Sequence, residues 1–262
     1  MTTTIHVLEK PKLNNPIFIE GLPGIGYVGR NATGYLIEEL KAVKFAEVYS
    51  DHFPPVVLLE PSKKGLMIPI KNELYYWKAK KKGQSDIILL IGDSQSMDPQ
   101  GHYEITNKVI ELLKTYNVSK LITIGGFATG KMIEKRVCKV YGAASDEEQI
   151  KIFEKIGVKF KNTNIGQIIG ASGLMIVEGH RQGIPGVCLM GETSGMLLSD
   201  PKSTESVIEI ISKYLGIKID MTKLEQRIKE IEKVIKKIED LQTKIMSGTK
   251  DTKSDESLGY IG

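Results

Sequence analysis

Gly24-Ile25-Gly26-Tyr27-Val28-Gly29 has the G-x-G-x-x-G spacing that, between a strand and a helix, can cradle a dinucleotide. The free amides at the helix start would face a pyrophosphate, and the glycines would let it approach the backbone. Ile17-Phe18-Ile19-Glu20 supplies a strand-like run and Tyr27 to Leu40 a helical pattern. Glu47 and Asp51 stand roughly where an acid would take the ribose hydroxyls. However, Gly21-Leu22-Pro23 separate the strand from the first glycine, and Arg30-Asn31 crowd the first turn. The same glycines equally suit a tight β–α turn that seats a helix close to a sheet. Gly24, Gly26 and Gly29 are thus a possible ligand turn with both readings open.

Gly125-Gly126-Phe127-Ala128-Thr129-Gly130-Lys131 carries the G-x-x-x-x-G-K frame of a phosphate loop. Met132 stands where a magnesium-binding hydroxyl is needed, and a strand-like run follows in place of a helix, which argues against a nucleotide triphosphatase. Gly191-Glu192-Thr193-Ser194-Gly195 misplaces its serine by one residue for a nucleophile elbow, and Ser172 lies in a helix-like run. The histidines, His6, His52, His102 and His180, are scattered. Asp93, Asp98 and His102 follow the strand Ile87–Ile91 and could form a small polar site, or the aspartates could cap loops, with Asp98-Pro99 opening a helix. No spacing suits a metal, and the expectation is a protein without catalytic residues, metal or cofactor.

Composition narrows the partners. Basic residues (36) nearly balance acidic ones (32), aromatics are 6%, and the one dense basic run, Lys78-Ala79-Lys80-Lys81-Lys82, reads as a solvated turn. Nucleic acid is not expected. Cys138 and Cys188 sit in apolar β-like runs without redox or metal spacing, as in a reduced cytoplasmic protein. No export signal opens the chain, and no apolar run approaches the ~20 residues of a membrane span.

The elements that would position these residues alternate. Phe45–Tyr49 and Val56–Leu59 are β-like, and Leu66–Ile70 with Leu74–Trp77 suggests a hairpin. Ile87–Ile91, Leu121–Ile124, Val137–Tyr141 and Val187–Met190 read as strands. Helices are expected over His102–Tyr116, Asp146–Ile156, Gly166–Gln182 and from Asp200-Pro201 to Leu215. Continuous apolar strands between helices predict one α/β domain over 1–216, its largely parallel sheet covered by helices on both faces.

Beyond it, 217–247 reads as an amphipathic helix. Leu224, Ile228, Ile231, Ile235, Ile238 and Ile245 step by fours and threes, with Gln242 in the remaining seam position. That is the pattern of coiled-coil-like pairing, and these residues are candidates for homo-oligomer contacts, the alternative being a helix packed on the surface of its own domain. A polar tail, 248–262, ends in Leu258-Gly259-Tyr260-Ile261-Gly262. An aromatic, apolar tip on a solvated leash is suited to a partner's pocket, with the terminal carboxylate as an added anchor.

Three blocks together resemble the archaeal form of the proteasome assembly chaperone family: Ile19–Gly29, Gly125–Gly130, and Pro185–Gly195 with Asp200-Pro201. The resemblance implies a fold similar to the purine nucleoside phosphorylases without their catalytic set. It also implies homo-oligomers acting without ATP, as assembly factor or activator, on the α subunits of the proteasome core particle. Leu258, Gly259, Tyr260, Ile261 and Gly262 would be the docking residues, by similarity to tails ending hydrophobic-Tyr-any. Here Tyr260 stands one place earlier than in that ending. The alternative is a nucleoside- or nucleotide-binding enzyme of phosphorylase-like or dinucleotide-binding type, centred on the glycine turn.

Overall fold

Four apolar runs must be covered on both faces, and they form the centre of one sheet. These are β2 (Ile17–Gly21), β7 (Ile87–Gly92), β8 (Lys120–Ala128) and β10 (Gly186–Thr193). The computed structural model describes residues 2–60, 62–131, 138–161, 166–226 and 228–229. In it these four strands lie side by side and parallel, in the order β7-β2-β8-β10. Phe18, Ile19, Ile87, Ile88, Leu89, Leu121, Ile122, Val187 and Leu189 are fully buried.

Antiparallel strands extend both edges: β6 (Asn72–Trp77), β3 (Val43–Ser50) and β1 (Thr3–Val7) beyond β7, and β9 (Val140–Ala144) beyond β10. The eight-stranded sheet is therefore α/β with a parallel centre and antiparallel flanks. α1 (Val28–Leu40) and α5 (Pro201–Leu215) pack against each other, α1 over β2, β7 and β8 and α5 over β10 and β9. α2 (Pro99–Thr115) and α4 (Ala171–Arg181) form a second pair, with α4 over β8 and β10 and α2 against β1. α3 (Glu147–Glu154) rests on β9 and β10. Helix starts follow capping chemistry: Asp98, Asp146 and Asp200 accept from Gly101 N, Gln149 N and Ser203 N at 2.8, 3.0 and 3.0 Å.

Local details differ from expectation. Residues 66–70 and 74–77 do not form a hairpin. β5 (Met67–Pro69) pairs with β4 (Val57–Leu59) in a separate two-stranded ribbon, while β6 is held on both sides by β3 and β7. The helix expected over Gly166–Gln182 begins only at Ala171, because Gly170 takes φ 97°, a conformation open to glycine that ends the preceding loop. The strand expected from Val137 runs from Val140, and β1 lacks a clear sequence signal. The Lys78–Lys82 run lies in the turn between β6 and β7. No helix of the described residues is long and apolar enough to cross a membrane.

The chain divides into two units, Met1–Asp220 and Met221–Gly262. In the second, Leu224 and Ile228 are the buried positions of a short helical stretch on which Thr222, Lys223, Gln226 and Lys229 are exposed. Ile231, Ile235, Ile238 and Ile245, like the tip 258–262, lie outside the described residues.

Candidate functional site

The glycine turn leaves β2 at Gly21, passes a single 3₁₀ turn at Ile25–Tyr27 and enters α1. Its glycines meet protein. A Cβ at Gly29 would lie 2.4 Å from the Ile124 carbonyl oxygen, and one at Gly21 would lie 2.1 Å from the Gly29 carbonyl oxygen. Gly26 has φ 62°, and a Cβ there would come 3.2 Å from Thr193 Oγ1 and 3.3 Å from Asp200 Cβ. Only glycine permits both the backbone angle and the spacing. Gly24 faces open space.

From the second block, Gly126 presses on the same turn, since a Cβ there would lie 2.3 Å from the Ile25 carbonyl oxygen. From the third, the Asp200 N–H donates to the Gly26 carbonyl at 2.9 Å. The three glycine-rich blocks thus interlock at the carboxyl ends of β2, β8 and β10. A carboxylate stands beside the turn, an unfavourable neighbour for phosphate. The geometry supports the packing reading of this motif.

The other elements of a nucleotide site are apart. Residues 125–128, the start of the phosphate-loop frame, are the end of β8, paired with β10 up to Ala128↔Thr193. Glu47 lies on β3, with β6 and β7 between it and β2. Its carboxylate is bonded to Lys44 Nζ at 2.7 Å and Lys71 Nζ at 2.5 Å, and these cations, Lys44 foremost, pull it down to about 2. The amides at the start of α1 lack a side-chain cap, and Arg30 is turned away to donate to the Gly92 carbonyl at 3.0 Å, 3.5 Å from Asp93.

Asp93, Asp98 and His102 do not converge on one point. Asp93 serves Arg30 and the Lys71 N–H, while Asp98 caps α2. Asp98 instead meets His52, which no motif in the sequence singles out. Buried His52 places Nδ1 2.7 Å from Asp98 Oδ2 and Nε2 3.3 Å from Glu104 Oε2. The other Glu104 oxygen accepts from the Thr3 N–H. A carboxylate on each ring nitrogen favours the imidazolium, so the His52 pKa is raised, Asp98 first among the causes. The Gly101 amide and His52 hold Asp98 below its usual range. This cluster ties β1 and the exit of β3 to α2. The partners are 46 and 52 residues apart in sequence, so no local spacing announces them.

Glu20 is a second polar group of the interior. It is fully buried, with Oε1 accepting from the Leu22 N–H at 3.1 Å, and burial raises its pKa to about 7. One signal was readable: a lone charge closing the run Ile17-Phe18-Ile19. Cys138 and Cys188 are free and buried, their thiols pushed up to about 12 by desolvation. Among the described residues no cluster of histidine, cysteine, aspartate or glutamate could hold a metal ion. A groove of about 960 Å³ runs between the start of α2 and α4, lined by Met97, His102, Tyr103, Ile169 and Val177 among others.

Fold and sites define an α/β protein whose three glycine-rich blocks pack together at the carboxyl ends of its central strands. It belongs to the PAC2 family, whose model matches residues 18–239. An uncharacterised protein of Methanocaldococcus jannaschii is 37% identical over 260 residues, covering 99% of this chain and 97% of that one. Among solved structures, PbaB of Pyrococcus furiosus, described as an archaeal proteasome activator, is similar at 38% identity and TM-score 0.84, over 91% of this chain and 99% of that one. PbaA of the same organism, described as an archaeal homologue of proteasome-assembly chaperone, shows 29% identity and TM-score 0.70, over 93% and 99%.

Proposed function

We propose that this protein is an ATP-independent assembly chaperone or activator of the proteasome core particle and is not an enzyme. The observation that carries the reading is the similarity to PbaB, 38% identical over nearly the whole of both chains. The interlocked glycine turns add weight, since they favour a packing use of the motif that most resembles an enzyme's. In this reading Met1–Asp220 is a scaffold in the cytoplasm. The helical segment carrying Leu224, Ile228, Ile231, Ile235, Ile238 and Ile245 gathers copies into a homo-oligomer, and Leu258-Gly259-Tyr260-Ile261-Gly262 docks between α subunits of the ring. A single five-residue tip binds weakly. Several tips on one oligomer raise the effective concentration and make the attachment firm.

The test is capture of archaeal proteasome core particle by the full chain and by a 1–257 truncation. The reading expects binding by the first alone. Equal capture by both would move the contact to the globular unit, and capture by neither would refute the proteasome as partner.

A further inference from the structure

Asn72, at the start of β6, is paired with Val48 of β3 on one side and Gly92 of β7 on the other. Side chains alternate along a strand, so Asn72 shares the inward face with Leu74, and the two are 1% and 0% exposed. A Cβ at Gly92 would collide with Asn72 Oδ1, so the glycine makes the room that the amide occupies. Among the described residues neither Oδ1 nor Nδ2 of Asn72 has a hydrogen-bond partner. Leaving a buried amide unpaired forfeits the hydrogen bonds it makes in water, and native proteins almost always satisfy such groups. Asn72 lines a cavity of about 10 Å³, together with Gln95, Ser96, His102 and Thr106 among others.

We propose that this cavity binds one water molecule, held by the Asn72 amide and exchanged with solvent past His102. The volume sets the size of the occupant, because a single water needs about 10–15 Å³. The wall sets its charge. Among the described residues no aspartate, glutamate, lysine or arginine lines the cavity. Two of its polar neighbours are already engaged. Gln95 donates to the Pro23 carbonyl at 2.8 Å and accepts from the Ala171 N–H at 2.9 Å, while Ser96 Oγ donates to the Asp98 carbonyl at 2.8 Å. An ion would therefore find no counter-charge here. A water both accepts and donates, so it can take the Asn72 Nδ2–H and give its own proton to Thr106 Oγ1 or to the His102 ring. Burial lowers the His102 pKa, which favours the neutral ring with one nitrogen as acceptor. His102 also lines the α2/α4 groove, so its ring is the wall shared by the cavity and that opening.

The test uses the full chain. A high-resolution crystal structure is expected to show one ordered water within ~3 Å of an Asn72 amide atom. Oxygen-17 relaxation dispersion should detect it as a water that stays longer than the molecule takes to tumble. Asn72→Leu fills the cavity with apolar atoms and removes the amide, so the dispersion should fall by one long-lived water per chain. His102→Ala removes the shared wall and should shorten that water's residence time. Should Asn72→Leu fail to fold, the wild-type crystal structure still decides. A dry cavity, with the Asn72 amide bonded directly to protein groups, would overturn the proposal, as would a dispersion unchanged in a folded Asn72→Leu variant. A residence time unchanged in His102→Ala would overturn the exchange route.

Discussion

The Asp200 N–H donates to the Gly26 carbonyl at 2.9 Å, tying the first residue before α5 to the turn that opens α1. The same aspartate caps α5 through Ser203 N at 3.0 Å. One residue therefore sets the start of one helix and braces the start of another. Gly26 accepts this neighbour because it has no side chain and adopts φ 62°.

If the glycines serve packing, they should differ in what they tolerate. Gly29→Ala places a methyl 2.4 Å from the Ile124 carbonyl oxygen and is expected to cost about 1–3 kcal/mol, lowering the melting temperature by several degrees. Gly24→Ala meets open space and should leave it nearly unchanged. Thermal unfolding of both variants checks this, and adding NAD, ATP or nucleosides should not shift the wild type.

His52 contributes a pH-dependent stability. Its folded pKa lies above 6.5, so its contribution is complete below that value and is lost as pH rises through the folded pKa. Asp98 and Glu104 are lowered from 3.8 and 4.5, so theirs is present above those values and is lost in acid. The stability lost in His52→Gln should thus be greatest between about pH 4.5 and 6.5 and shrink in alkali. Chemical denaturation at pH 5.5 and pH 9 measures the difference. An equal loss at both pH values would mean that the ring acts by packing alone.

Glu20 has the same sign from a different cause. Burial raises its pKa from 4.5 to about 7, so folding is favoured with the proton on and loses stability as pH climbs between those values. A rise of that size corresponds to about 3 kcal/mol at ~1.4 kcal/mol per pH unit. Glu20→Gln keeps the shape without the charge. It should match the wild type near pH 4.5 and exceed its stability above pH 7, read from unfolding midpoints across that range.

On the proposed function, Tyr260→Ala should weaken core-particle capture while leaving the oligomer intact. Loss of an aromatic anchor at a docking site costs about 2 kcal/mol or more, close to thirtyfold per tail. Several tails on one oligomer multiply the effect. Sedimentation of the variant alone, beside its binding isotherm, separates the two properties.

The parallel centre and the helix caps are legible in the sequence for related reasons. Continuous runs such as Ile87–Ile91 can only be buried on both faces, and Asp98-Pro99 or Asp200-Pro201 encodes a helix start within four residues. The hairpin expected between 66–70 and 74–77 shows where such signals stop. Both stretches are extended, but hydrogen-bond partners across a sheet are chosen by neighbours far along the chain. β6 found them in β3 and β7.

The candidate site divides in the same way. From the amino-acid sequence alone came the α/β class, the three glycine-rich blocks and the interior cysteines, because each depends on composition or spacing within a few residues. Only the tertiary structure decided that the three blocks meet at one turn, that His52 belongs to Asp98 and Glu104, and that an apolar ribbon stands clear of the sheet. Those outcomes depend on which strands become neighbours, and that choice minimises the free energy of the whole chain rather than of any local segment.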